Sequence, residues 1–485
     1  MIFAHFMNEM GTEIMALENT HYGAAAIEKI LSGGPKKIFF AGIGGISMCS
    51  LARVSQLRGH FVSGYDRAQS DITRQLVSFG IPVYNKEDPI HVKDCDLLVY
   101  TVAMPADNPE YAAAQAAGIP CVSRADYLGY LMSGYTCRIG VSGMHGKSTT
   151  TSMLEKIFSD AGRDPTVSCG AKMASQNSAH RIGGEEYFIF EACEYMDSFL
   201  DFYPTIAMIL NIEMDHVDYF HSMEQIHTSF HKFLERTGPS GTALVNQGDA
   251  DAMQAAAGYS GRLVTFGVEE PDADYCADTI TLEKGCARFI IRYKKELLCT
   301  AVLQVPGIHA VCDALAAAAA AHLCGISGKE ISHALGAFQG LGRRMEPCGT
   351  AKCGAAIYSD YAHHPTEIAA TLSAAAQMGY RRLFCVFQPH TYSRTSRLFE
   401  GFVKALSSIE KGEVVLAPIY SAREVNTYGV SSERLSDAIV EAGTACRCIS
   451  QFEDIAAYLN GHGDKEDMFL IMGAGDITKV IPYLQ

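Results

Sequence analysis

The stretch GMHGKSTTT (residues 143–151) lies between an apolar run, CRIGVS, and TSMLEKIFSDAG, in which Met153, Leu154, Ile157, Phe158 and Ala161 share one helical face. Strand, glycine loop and amphipathic helix are the parts of a phosphate cradle. Backbone N–H groups point inward, glycines admit the ligand, the helix N-terminus adds partial positive charge, and a lysine neutralises the outer phosphates. A strict Walker A loop has a glycine where Val141 stands, so the spacing reads as a shorter loop, GxxGKS. Ser148, directly after Lys147, offers a hydroxyl to magnesium. Gly143, Met144, His145, Gly146, Lys147, Ser148 and Thr149 are thus the candidate triphosphate-binding residues; the bland alternative is an ordinary turn with an exposed lysine.

Around this loop the chain alternates strand and helix. YFIFEA and TIAMILNI are continuous apolar runs, as expected of central parallel strands buried on both faces. Ligands gather at the carboxyl ends of such strands. Glu191 leaves the first run there, and Asn211, Glu213, Asp215 and His216 leave the second. Magnesium beside a polyphosphate takes one or two carboxylates plus hydroxyl and water, a set that Glu191 and Ser148 satisfy.

Upstream, KKIFFA, GIGGIS and MCSLARVSQLRG form a second strand, glycine loop and helix, with Asp66 at the end of the next strand, FVSGY. Gly42 and Gly44 suit a diphosphate, although Ser47 stands where a dinucleotide fingerprint has its third glycine. Tight strand-to-helix packing explains the same pattern without a ligand, and a nicotinamide cofactor is a further alternative. Downstream, SDYAHHPTE and FQPHTYSRT each follow an apolar strand and bring Asp360, Tyr361, His363, His390, Tyr392 and Arg394 toward one sheet edge, suited to a small carboxylate ligand. His363 and His364 could instead ligate a metal.

The length, 485 residues, suggests about three domains at roughly 150 residues each. GLGRR reads as a hinge, which gives an arm over 1–35 and α/β domains over 36–134, 135–342 and 343–485. A formal charge of -15 argues against a nucleic-acid coat. The 16 cysteines are dispersed with no CxxC, which favours reduced, buried thiols over zinc sites and a cytoplasmic location. No apolar run reaches the roughly 18 residues that a membrane span needs.

GIGGISMCSLA, GMHGKSTTT, EACE, NIEMDH, GRR, DYAHHPTE and FQPHTYSRT, in this order, resemble the Mur ligases of peptidoglycan synthesis. Within that family the likeness is greatest to the branch that joins L-alanine to UDP-N-acetylmuramate. The resemblance implies an α/β fold of three domains: a Rossmann-like UDP-binding domain, a central P-loop ATPase-type domain with a mainly parallel sheet, and a C-terminal Rossmann-like domain. It implies ATP and Mg2+, a monomer or dimer, and an amide ligation through an acyl phosphate. Lys147, Glu191, His216 and Arg343 would carry the chemistry, with Ser148, Glu191 and His216 at the metals and His309, Arg343 and Asp360 at the nucleotide. Gly42, Ile43, Gly44, Gly45, Ile46, Ser47, Asp66 and Thr101 would hold the UDP-sugar, and Tyr361, His363 and Arg394 the amino acid. The chain departs from the family pattern at Ala310 and Asp313, where asparagines are usual, at Cys193 and Met196, where acids are usual, and at Thr391, where some members have arginine. A ligase that attaches a recycled peptide to the same UDP-sugar, a dehydrogenase and a nonhydrolysing nucleotide-binding module are the rival readings.

Overall fold

The computed structural model describes residues 17–485 apart from Ala103, Ala174, Ser175, Asn177, Val217, Asp218 and Arg423. The first part of the arm expected over 1–35 therefore lies outside the described residues. The chain forms two compact units, Met1–Arg138 with Tyr195–Tyr203, and Ile139–Glu194 with Pro204–Gln485.

In the first unit, β1 (Lys37–Ala41), β2 (Phe61–Tyr65), β3 (Val83–Tyr84), β4 (Leu97–Tyr100) and β5 (Cys121–Ser123) make a parallel sheet in the order β3-β2-β1-β4-β5. Phe39, Phe40, Leu97, Leu98 and Val99 are all fully buried, as expected where helices cover both faces. The strand order reverses between β1 and β4, the place where open α/β sheets leave a crevice for ligands. The described part of the arm is not loose. Helix Ala24–Leu31 packs on helix Arg124–Ser133. The buried carboxylate of Asp126 accepts hydrogen bonds from the Tyr22 N–H at 2.7 Å, the Gly23 N–H at 3.1 Å and the Thr20 hydroxyl at 3.0 Å.

The second unit holds two sheets. The larger comprises β6 (Cys137–Ser142), β7 (Thr166–Met173), β8 (Ser178–Arg181), β9 (Tyr187–Glu191), β10 (Ile206–Ile209), β11 (Thr242–Asn246), β12 (Arg262–Val268), β13 (Tyr275–Glu283), β14 (Cys286–Tyr293) and β15 (Glu296–Pro306). Their order is β15-β14-β13-β12-β11-β10-β6-β9-β7-β8. The middle is parallel, with Ser142 level with Ile209 and Ile209 level with Val245, so the strand exits share one edge. The flanks are antiparallel: β13-β14-β15 on one side and β7-β8 on the other. The sequence reading foresaw the parallel middle and not these flanks. Two-residue turns close the larger flank, Lys284-Gly285 with φ of 49° and 80° and Lys294-Lys295 with φ of 49° and 70°. Both positions of each turn are left-handed, the geometry that matches strand twist in a tight hairpin. Lys-Lys is not a turn signal, which is why the second hairpin was invisible in the sequence.

The smaller sheet contains β16 (Glu346–Thr350), β17 (Ala356–Asp360), β18 (Leu383–Phe387), β19 (Gly412–Leu416), β20 (Cys446–Cys448) and β21 (Met468–Met472), in the order β16-β17-β21-β18-β19-β20. All pairs are parallel except β16-β17. Among the described residues no helix is long and apolar enough to cross a membrane.

Replacing Asp126 with alanine removes the charged acceptor of the three hydrogen bonds that pin the segment leading into the first helix, at a cost of about 1–3 kcal/mol. A urea titration of Asp126→Ala is expected to show a lowered midpoint; an unchanged midpoint would contradict this anchoring role.

Candidate functional site

The loop after β6 is shaped by residues outside it. Asn211, just beyond β10, brackets the loop: its carbonyl accepts from the Met144 N–H at 3.3 Å, its side-chain oxygen from the His145 N–H at 2.9 Å, and its amide donates to the His145 carbonyl at 3.0 Å. Gly146 follows with φ of 84°, a left-handed conformation that glycine adopts without strain, and begins helix Lys147–Asp160 with no side-chain cap. The first-turn N–H groups of a helix have no intrahelical acceptor, so this uncapped end presents donors and the positive end of the helix dipole.

Lys147 folds across the mouth of the loop. Its ammonium donates to the carbonyls of Gly143 and, at 3.1 Å, Met144, and lies 3.2 Å from Glu194 Oε2. Burial alone would push this ammonium down, but Glu194 and Glu191 outweigh it and hold it above the ordinary lysine value. Glu194 is fully buried; burial opposes its charge, and Lys147 and His216 hold it below the usual carboxylate range. His216 Nε2 lies 3.1 Å from Glu194 Oε1. Glu191 accepts from the Gly170 N–H and, at 3.2 Å, from the Cys169 thiol, whose own neighbour is the Ser148 carbonyl at 3.6 Å. Lys147 and His216 thus meet on Glu194, with Glu191 near the ammonium and the Ser148 backbone reached through Cys169.

Beside the loop lies a cavity of about 400 Å³, walled by His145, Gly146 and Thr149, by Asn211 and Asn246 at strand exits, by His309, Ala310 and Asp313 of helix His309–Leu323, and by the hinge. Its size falls in the range of small-molecule sites. Arg344 enters this wall and Arg343 does not. Arg343 takes φ of 57° and turns its guanidinium to the carbonyls of Gly473 and Gly475, with Tyr361 stacked at 4.8 Å. Arg344 lies 5.8 Å from the same ring and meets Glu367 at 3.4 Å. The sequence could not tell which arginine of the pair a backbone flip would turn inward. Asp360 lines the cavity and holds the hinge, accepting from the Met345 N–H at 2.8 Å and the Ala362 N–H at 2.8 Å.

The two sheets of this unit are joined by a charged cluster. His145 meets Glu213 through Nε2 and Glu367 at 3.3 Å through Nδ1; His364 Nδ1 lies 3.4 Å from Glu213, and the Thr366 hydroxyl donates to Glu213 at 2.8 Å. Glu367 was not singled out in the sequence, although its place in His364-Pro-Thr-Glu marks the capping box of helix Pro365–Ala376. His145, Glu213 and His364 have a donor set that could hold a metal ion. Burial opposes charge on His145, yet the two carboxylates raise it to about 9.

The expected amino-acid ligands gather around His390, which feels the charges of both His363 and Arg394. Tyr361 packs edge-on against His363 at 5.2 Å, and His363 against His390 at 6.0 Å. Arg394 also reaches Asp215 at 3.1 Å; burial opposes the charge on that carboxylate, and Arg394 with His216 holds it below its usual range.

In the first unit, GIGGIS lies between β1 and helix Ile46–Leu57. The Gly42 and Ile43 N–H groups donate to the Tyr65 carbonyl at 2.8 and 2.9 Å, and the Gly44 N–H donates to Asp66 Oδ2 at 2.9 Å. A Cβ on Gly44 would stand 2.7 Å from that oxygen, so the close approach requires glycine. Asp66 therefore shapes the loop itself. Thr101 abuts Gly42 from the exit of β4, Gly45 caps the helix and Ile46 opens it, exposed. Arg124, not foreseen, donates to the Ser47 hydroxyl at 3.2 Å.

Comparison with known proteins matches the three modules in order. Residues 37–136 fit the description "Mur ligase family, catalytic domain", 141–321 "Mur ligase middle domain", and 343–475 "Mur ligase, glutamate ligase domain". The UDP-N-acetylmuramate--L-alanine ligase of Clostridium novyi is 41% identical over 450 residues, covering 93% of this chain and 97% of the relative. That of Caldicellulosiruptor saccharolyticus is 42% identical over 446 residues, covering 92% and 97%. The crystal structure of the UDP-N-acetylmuramate-alanine ligase of Thermotoga maritima superposes with a TM-score of 0.77 at 25% identity, covering 93% of this chain and 98% of that one.

The raised His145 predicts a pH dependence. A histidine at about 9 when folded and 6.5 when unfolded contributes stability that is complete below about 6.5 and lost as the pH climbs through 9, a change of roughly 3 kcal/mol. Melting curves of the wild type should fall across that window, and those of His145→Asn should be flatter; parallel curves would contradict the charged pairing.

Proposed function

The chain belongs to the Mur ligase family, and from that membership we propose that it joins L-alanine to the carboxylate of UDP-N-acetylmuramate, converting ATP to ADP and phosphate. We further assign the UDP-sugar to the module at 36–134, ATP to that at 135–342 and the amino acid to that at 343–485, in the cytoplasm. The rival readings are not favoured, since the relatives described above, 41% and 42% identical, are named as alanine ligases and not as peptide ligases or dehydrogenases.

The observation that carries the nucleotide assignment is the uncapped helix start at Gly146, bracketed by Asn211 and faced by a partly buried lysine. ATP fits here with its phosphates on the first-turn N–H groups and its adenosine in the adjoining cavity, toward His309 and Asp360. A carboxylate is a poor electrophile for an amine at neutral pH. A sugar carboxylate oxygen therefore attacks the γ-phosphorus, the bond to the β-phosphate oxygen breaks, and ADP leaves. The alanine amine then attacks the acyl phosphate; the carbon–oxygen bond to phosphate breaks, and a proton leaves the nitrogen. Lys147 and Arg344 offset the charge that spreads over the transferring phosphoryl oxygens. Glu194 keeps Lys147 charged and aimed.

The residues present fit Mg2+: Ser148 supplies a hydroxyl and Glu191 a carboxylate, hard oxygen donors of the kind this ion takes beside phosphates. When bound, it supplies positive charge to the β- and γ-phosphates. His216, with Nε2 engaged by Glu194, is placed to orient that acid and the substrate carboxylate. Tyr361, His363 and Arg394 are proposed to receive the amino acid, and residues 42–47 with Asp66 and Thr101 the UDP diphosphate.

Lys147→Ala should lower ADP formation by at least about 10²-fold while UDP-N-acetylmuramate still binds, because the two loops lie in different modules. Phosphate release should require the UDP-sugar and be greatest with L-alanine in a panel of amino acids. Undiminished turnover in the variant, or release indifferent to the UDP-sugar, would refute the assignment.

A further inference from the structure

The alanine-rich helix His309–Leu323 packs on helix Lys147–Asp160, and its small side chains permit a close approach. At the loop end of this contact stands Asp313, 6% exposed. A Cβ placed on Gly146 would lie 2.3 Å from Asp313 Oδ1, so the carboxyl group touches the backbone of the phosphate loop while also lining the cavity. No lysine, arginine or histidine among the described residues forms an ion pair with it.

The groups around it come from several elements. Arg344 faces it from the hinge, His145 from the loop and the Thr150 hydroxyl from helix Lys147–Asp160. On its own helix, burial pushes the Cys312 thiol up to about 12 and keeps it uncharged, and Asp249, at the start of helix Ala250–Ala256, adds a further acid beside that thiol. Burial raises the Asp313 carboxyl to about 7 against the opposing pull of Arg344, Thr150 and His145. The family resemblance places an asparagine here, a side chain of nearly the same shape with no charge to gain. An acid behind a phosphate loop is compatible with a polyphosphate in front of it only while it carries its proton, because like charges in a water-poor site repel strongly.

We propose that Asp313 is a protonation-dependent positioning residue of the nucleotide pocket, packing against Gly146 as a neutral carboxylic acid and opposing the nucleotide when ionised. The proposal rests on the assignment of ATP to this cavity. Nucleotide binding then favours the protonated acid, so ATP binds with uptake of a proton above neutrality and weakens as the pH rises. His145 titrates higher, and Glu213, Glu367 and His309 lower, so none of these four accounts for a change near neutrality.

The test is the dissociation constant of ATP against pH for the wild type and Asp313→Asn. If binding raises the Asp313 pKa by about one unit, wild-type affinity falls about fivefold from pH 6 to pH 8 relative to the variant. Because ATP titrates identically against both proteins, the difference between the curves belongs to Asp313. Parallel curves would overturn the proposal. Calorimetry of the wild type in two buffers of different ionisation enthalpy gives a readout that does not depend on the variant folding: proton uptake on ATP binding near pH 7.5 is expected, and no uptake would overturn it. Failure of the wild type to bind ATP at any pH would instead overturn the ATP assignment, and this inference with it.

Discussion

A lysine ammonium largely withdrawn from water must be paired, and much of the arrangement at the larger sheet's strand exits follows from how Lys147 meets that demand. Its position is fixed by the glycine loop, and a loop with two glycines keeps no shape unaided. Asn211 supplies the shape from the neighbouring strand exit with three hydrogen bonds. Glu194 supplies the counter-charge from the exit beyond β9 and draws in His216 from beyond β10. These contacts exist because β6, β9 and β10 end at a common edge, which itself follows from parallel strands with matched register.

The same edge explains why the two sheets of the second unit share a cavity. The loop presents His145 as well as its amides, and the smaller sheet reaches it through Glu367 and His364. Carboxylates on both sides keep His145 charged, so the cluster works as an electrostatic clasp at the cavity's rim. Behind the loop, alanines bring a helix close enough for Asp313 to touch Gly146. The loop at residues 143–147 is thus held by an amide in front, a charged cluster at one side and an acid behind.

Much of this was legible in the sequence, for identifiable reasons. FVSGY and the helix start at Pro365 coincide with the strand Phe61–Tyr65 and the helix Pro365–Ala376, because a short stretch with aromatic and β-branched residues bounded by Gly59 and Asp66, and a proline at the first helical position, are local signals. The strand exits collected Glu191, Asn211, Glu213 and His216, since parallel topology alone sends them to one edge. What escaped is non-local or depends on a single dihedral angle. The antiparallel flank from Tyr275 to Pro306 turns on left-handed lysines that no turn rule selects. The inward arginine of the pair is decided by φ at Arg343, and the charge on Asp313 by burial against a helix far away in sequence.

The central claim is that the loop around Lys147 grips a triphosphate. A crystal structure with a nonhydrolysable ATP analogue tests it most directly. The terminal phosphates are expected on the amides at the start of helix Lys147–Asp160, with the lysine ammonium moved from the Gly143 and Met144 carbonyls onto a phosphate oxygen. An analogue bound elsewhere, with Lys147 still seated on those carbonyls, would contradict the account.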